Sequence, residues 1–196
     1  NCEWIYASIG GKDAILAHGD GAPYRELAGE KLAPGVKACP LSHENRLVLN
    51  AYLPHTAPTA FGREFATFGL GDRLGLCASA HLRAIRESVL KPVLAQQSLR
   101  ELNFLHRSYD DMIDAAAFGA FREGYTGGYA ADGDHLKTPE QIQTALASGC
   151  TMITLDASEV LSDLPENAPV HERYLAIPPD RRAELEAIYL ENAAAG

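Results

Sequence analysis

Four ionisable side chains crowd into six residues of one polar stretch: Asp132, Asp134, His135 and Lys137, in "EGYTGGYAADGDHLKTPEQ". A loop has no folding need for so many. A carboxylate beside a histidine can move a proton, and a histidine with acids nearby can ligate a divalent ion. Lysine can neutralise an anion. The competing reading is a surface histidine that leads into a helix cap at Thr138. These residues alone leave both open, because a metal site needs several ligands and this stretch holds one histidine. Asp132 and Asp134, two apart, share a face of a continuing strand, and His135 faces the other way unless the strand ends first. Gly133 is the residue that could end it.

The elements that would position this group follow from the apolar pattern. From residue 63 onward, "EFATFGLG", "PVLAQQS", "GGYAADGD" and "CTMITLDAS" read as strands. Between them lie the helical patterns "SAHLRAIRESVL", with Leu82, Ile85 and Val89 on one face, "YDDMIDAAAFGAFREGY", and "TPEQIQTALASG". The last has Thr138 at the N-cap, Pro139 at N1, Gln141 closing a capping box and Gly149 at the C-cap. Alternation of strand and helix means a parallel sheet with right-handed crossovers. Ligands of such sheets bind at the carboxyl ends of the strands.

Those ends are polar throughout. They carry Asp72 and Arg73, then Gln96, Gln97 and Ser98, then the Asp132–His135 group, then Asp156. Adjacent amides at Gln96 and Gln97 suit the hydroxyls of a polyol, or else a satisfied interior hydrogen bond. Arg73 suits a carboxylate or phosphate, or else a local salt bridge. Lys137 suits an anion, or else plain solvation. His81 and Arg86 read as surface residues, and Glu123 lies on the wrong edge of the sheet for chemistry.

Residues 1–62 are broken by Gly and Pro and read as a small α/β lobe, with a helix opening at Ser42. Residues 63–158 are the parallel (β/α) part. Residues 159–196 read as a polar excursion and a terminal helix capped by Asp180. The net charge of −9 is scattered and argues against a nucleic-acid surface. Cys2, Cys39, Cys77 and Cys150 form no paired motif, which points to reduced thiols and a cytoplasmic location. No apolar run approaches the roughly 20 residues of a bilayer span, and the start lacks a signal-peptide pattern. Both ends look cut. Nucleophile-elbow, phosphate-loop, HExxH and GxGxxG signatures are missing.

The blocks "FGLGDRLG", "LAQQS", "FREGY", "GYAADGDHLK" and "TMITLDAS", in register from Phe68 to Ser158, make the chain resemble the N-terminal half of the tagaturonate/fructuronate epimerase family of hexuronate catabolism. The resemblance implies a partial TIM-like (β/α) barrel, a divalent metal of unknown identity, and interconversion of D-tagaturonate and D-fructuronate. Carried over, the family's "DADH" is "DGDH" here, a small change at Gly133. His135 would be one metal ligand and Asp134 the general base. Asp72, Arg73, Gln96, Gln97 and Lys137 would contact the sugar acid. The remaining ligands would come from strands absent from this chain, which would then be inactive alone.

The two keto-uronates differ at a carbinol carbon whose C–H the ketone does not acidify. Retro-aldol cleavage and re-addition therefore fits better than deprotonation at carbon. The rivals are another metal-dependent sugar-acid aldolase or isomerase on the same scaffold, and a non-catalytic α/β module holding magnesium. Four strands where a barrel has eight leave an open edge and apolar face, so the isolated chain is expected to self-associate or to lack its other half.

Overall fold

The structure is a computed structural model that describes residues 1–158 and 174–194, with side chains as far as 188. Asn1–Asp156 forms one compact unit and Ala157–Gly196 another. The boundary expected at residue 62 falls inside the first unit.

The unit opens with a four-stranded antiparallel sheet of order β1-β2-β4-β3. Strands β1 (Cys2–Ile9) and β2 (Lys12–Gly19) pair along their full lengths, from Cys2 opposite Gly19 to Ile9 opposite Lys12. The turn is Gly10-Gly11, both at positive φ, which matches the twist of a two-residue hairpin. Helix α1 (Ala22–Glu26) follows, and β3 (Glu30–Ala33) pairs with β4 (Val36–Pro40). Helix α2 (His43–Tyr52) starts where expected, with the Ser42 hydroxyl accepting from the Asn45 N–H. The α/β lobe expected for residues 1–62 is thus an antiparallel sheet with short helices.

The second sheet is parallel, of order β5-β6-β7-β8, in strands Thr67–Gly69, Lys91–Ser98, Ala130–Leu136 and Met152–Leu155. Its crossovers hold α3 (Ala78–Ile85), α4 (Leu99–Phe104), α5 (Tyr109–Arg122) and α6 (Pro139–Ser148). This is the parallel sheet that the alternation predicts and the half-barrel that the resemblance implies. Helix α3 is shorter than expected. Chain reversal at Ser88, whose N–H donates to the Ile85 carbonyl, leaves Val89 90% exposed. Helix α4 carries too few residues to show a period; Ser98 and Glu101 close its capping box. Helix α6 matches its predicted caps at Thr138 and Gly149, although the Gln141 side-chain Oε1 accepts from the Lys137 backbone N–H rather than from that of the cap residue.

Helix α5 joins the two sheets. Its Met112, Ile113, Ala116 and Ala120 enter the core under the parallel sheet, while Phe118 enters the core under the antiparallel one with Ile15, Leu27 and Leu49. A part-buried ion pair adds to this seam, Arg46 Nε donating to Asp114 at 2.6 Å, with His43 Nδ1 3.2 Å from the same carboxylate. The free edges β5 and β8 carry exposed Phe68 and Leu155. In the second unit, α7 (Pro179–Ala194) begins two residues earlier than a cap at Asp180 requires, so Asp180 lies in its first turn. Residues 159–173 of the expected polar excursion lie outside the described residues. All four cysteines are free, and no helix among the described residues is long and apolar enough to cross a membrane.

Candidate functional site

The carboxyl ends of the parallel strands divide into three sets of polar residues with different fates. The first lies inside the sheet. Asp132 is fully buried, and its Oδ2 accepts from Gln96 Nε2 at 3.1 Å and from the Thr154 hydroxyl at 2.7 Å. The register explains the row: Gln96 pairs with Asp132 across β6 and β7, and paired positions of a parallel sheet share a face. Asp132 Oδ1 and the nearby Tyr109 hydroxyl are enclosed with no hydrogen-bond partner among the described residues. Burial pushes the Tyr109 phenol up to about 12, with Cys150, Asp132 and Asp134 acting in the same direction.

The second set is the corner after β5. Asp72 Oδ1 accepts from the Leu74 N–H at 3.0 Å, and Oδ2 from that of Cys77. Burial opposes its ionisation, but the N–H groups of Cys77, Leu74, Leu76 and Gly75 together hold the carboxyl below its ordinary value. Arg73 Nε is ion-paired with Glu101 at 2.6 Å. Gln97 is buried with both ends of its amide engaged: Nε2 donates to the Arg73 carbonyl, and Oε1 accepts from Arg107 Nη1 at 2.8 Å. Gly75 has φ +69, and a side chain there would run into the Arg107 guanidinium. This corner folds a loop; the interior hydrogen bond is the reading the structure gives Gln97.

The third set is the rim of β6, β7 and β8. Here a cleft of about 290 Å³ is lined by Ser98, Arg100, His135, Lys137 and Asp156. Lys137 Nζ stands 3.7 Å from Asp156 Oδ2, and His135 Nε2 3.7 Å from Asp134 Oδ2. The His135 side chain is largely exposed. Burial raises the Asp134 carboxyl above its ordinary value, helped by Asp132 and Glu101 and opposed by His135.

The local path of the chain accounts for this pairing. His135 has φ +57, the left-handed region that histidine visits more readily than most residues. The β7–β8 register shifts between Gly133 and Leu136. The strand therefore breaks its alternation at His135, not at Gly133 as the sequence suggests. Gly133 keeps its place in the ladder opposite Gln97. It is glycine for a packing reason: a Cβ would lie 2.8 Å from the Ala145 Cβ on α6 and 3.0 Å from Leu136 Cδ1. In this chain an alanine there is not a small change.

Of the residues named from sequence, the rim therefore gathers Asp134, His135 and Lys137. Gln96, Asp72, Arg73 and Gln97 are bonded elsewhere, and Arg73 lines a neighbouring apolar groove with Leu74, Arg100, Glu101, Phe104 and Leu105. Arg100 was missed. The signal available was a basic residue two positions after a strand end, in "QQSLR". His81 is only partly exposed, its Nδ1 enclosed and without a partner among the described residues. Glu123, at the opposite edge, pairs with Arg83 and Arg86 as a structural group.

Toward a divalent ion the described residues go part of the way. His135 and Asp134 are adjacent, but among the described residues no group of three or more His, Cys, Asp or Glu side chains is placed to hold a metal. By themselves they do not fit a closed metal centre.

A family model described as tagaturonate epimerase matches residues 11–195. A tagaturonate/fructuronate epimerase of Thermotoga maritima is 40% identical over 154 residues, which is 78% of this chain and 31% of that protein. Native and one-glycerol crystal structures of fructuronate-tagaturonate epimerase UxaE from Cohnella laeviribosi superpose with a TM-score of 0.85 at 48% identity. They match over 96% of this chain and 39% of theirs. The chain thus spans well under half the length of these relatives, less than the half implied by the sequence resemblance.

Proposed function

We propose that this chain, which belongs to the tagaturonate epimerase family, carries the base and part of the substrate cleft of an enzyme that interconverts D-tagaturonate and D-fructuronate. The observation that carries the reading is the juxtaposition of Asp134 and His135 beside the rim cleft at the strand ends.

Asp134 takes the proton of the hydroxyl on the carbinol carbon that differs between the two sugars. The oxygen's electron pair forms an aldehyde carbonyl as the bond to the ketone-adjacent carbon breaks. That bond's electrons pass into an enediolate on the ketone fragment. The aldehyde turns over, the enediolate attacks its other face, and Asp134 returns the proton to the new alkoxide. Atoms and electrons balance without a redox partner. His135, 3.7 Å from Asp134, steadies the carboxylate. Lys137, steadied by Asp156, adds a cation at the same rim. A divalent ion would supply Lewis acidity at the ketone oxygen, with His135 as one of its donors.

The test supplies D-tagaturonate to the intact protein in D₂O and follows the mixture by NMR. Expected is D-fructuronate that keeps protium at the inverted carbon, since the C–H bond is never broken. Accumulating three-carbon fragments point instead to an aldolase, and deuterium at that carbon rules out the retro-aldol route.

A further inference from the structure

We propose that Arg100 takes the carboxylate of the sugar acid, an assignment that rests on the rim cleft being the sugar-acid site. A keto-uronate brings one full negative charge, and a cleft that selects it over a neutral ketohexose needs a cation with hydrogen-bonding capacity to spare. The basic groups near these strand ends can be sorted on that criterion. Arg73 is committed to Glu101 at 2.6 Å and does not line the cleft, although both it and Arg100 border the neighbouring apolar groove. Arg107 is spread over the Gln97 amide and the Arg73 and Asp111 carbonyls. Lys137 has Asp156 beside it at 3.7 Å. Arg100 lines the cleft and, among the described residues, has no hydrogen bond or ion pair.

Its surroundings keep it that way. The adjacent Glu101 is the nearest acid in sequence, and its carboxylate is occupied by Arg73 and by the Ser98 N–H. Asp156, the acid in the cleft lining, lies against Lys137. Arg100 thus presents a guanidinium fork, which stays charged and fits a carboxylate through two parallel N–H bonds. It stands on α4, directly after β6, while Asp134 closes the rim on β7, the register partner of Ser98. A sugar acid lying across the rim would meet Arg100 at its carboxylate end and Asp134 at its reacting hydroxyl.

The experiment compares wild type, R100Q and R100K in the intact protein, each with D-tagaturonate and with the neutral ketohexose of the same stereochemistry. Hexuronate binding is measured in parallel by calorimetry. R100Q is expected to raise KM for the uronate by about 10- to 100-fold with kcat nearly unchanged, the range for losing a charge-assisted bidentate contact. The ratio of kcat/KM between uronate and neutral sugar should collapse by the same factor, and R100K should recover part of it. That ratio is read within one variant, so partial misfolding of R100Q does not disturb it; if R100Q fails to fold, the ratio in R100K decides. Equal losses on both sugars, or an unchanged ratio, overturn the assignment while leaving the epimerase reading intact. Arg100-dependent hexuronate binding without epimerisation by wild type has the opposite meaning: the carboxylate clamp stands and the epimerase reading falls.

Discussion

Two corners of the parallel sheet carry nearly the same inventory of polar side chains and use it in opposite ways. At the β5 corner, Asp72, Gln97 and Arg107 spend their hydrogen bonds on one another and on backbone groups, and the Arg73 side chain is paired with Glu101. At the rim of β6, β7 and β8, Arg100 has no partner among the described residues, and the acid–base contacts of His135 and Lys137 are loose at 3.7 Å. Residue type at a strand end therefore does not mark a site. In the proposed reading, unspent hydrogen-bonding capacity facing a cleft does.

The contrast can be broken or sharpened by substitution. The largest effect belongs to Asp132, buried beneath the rim. D132A strands Gln96 and the Thr154 hydroxyl, and should lower unfolding free energy by about 3 kcal/mol in urea titrations. A value near zero would mean the row Gln96–Asp132–Thr154 is not formed. Next comes the corner: Q97A leaves Arg107 and the Arg73 carbonyl short of a partner and should cost about 1–2 kcal/mol of stability, with KM unchanged. A raised KM at unchanged stability would move Gln97 into the site.

The rim should behave in reverse. H135G removes a side chain from the left-handed region and should stabilise the fold by about 0.5 kcal/mol, while hexuronate binding weakens. Thermal melts with matched calorimetry check both halves. The smallest effect is on pH dependence. The Asp72 carboxyl is held below its ordinary value in the folded chain, so its contribution to stability is present above the unfolded value and is lost as pH falls through the folded one. Because the group is largely solvated, the effect is modest. D72N should flatten the acid limb of the melting-temperature profile below about pH 4 and leave it parallel to wild type at neutral pH.

How much of this was legible follows from where the information sits. The parallel strands and α6 were readable because capping residues and apolar runs are local, as Thr138 and Gly149 show. The antiparallel sheet was not read, although Gly10-Gly11 between two eight-residue strands was a usable hairpin signal. Helix α4 hid because six residues carry no period. Asp134 and His135 were singled out by their types, but the break in the strand that the sequence allowed at Gly133 falls at His135, in the left-handed region. No local pattern could reveal that Gly133 is spared a side chain by Ala145, or that Gln97 is claimed by Arg107. Those are facts of packing between distant segments. Arg100 followed only once its neighbours' commitments were known.

The most direct test sets Asp134 against Gln97 in one assay. Turnover of D-tagaturonate is measured by NMR for D134N and Q97A in the intact protein, with melting temperatures recorded alongside. D134N should lower kcat by at least about 100-fold at an unchanged melting temperature, and Q97A should lose stability and keep its kcat. A D134N enzyme that still turns over at the wild-type rate, or a stable Q97A that does not, would contradict the division between a rim that reacts and a corner that folds.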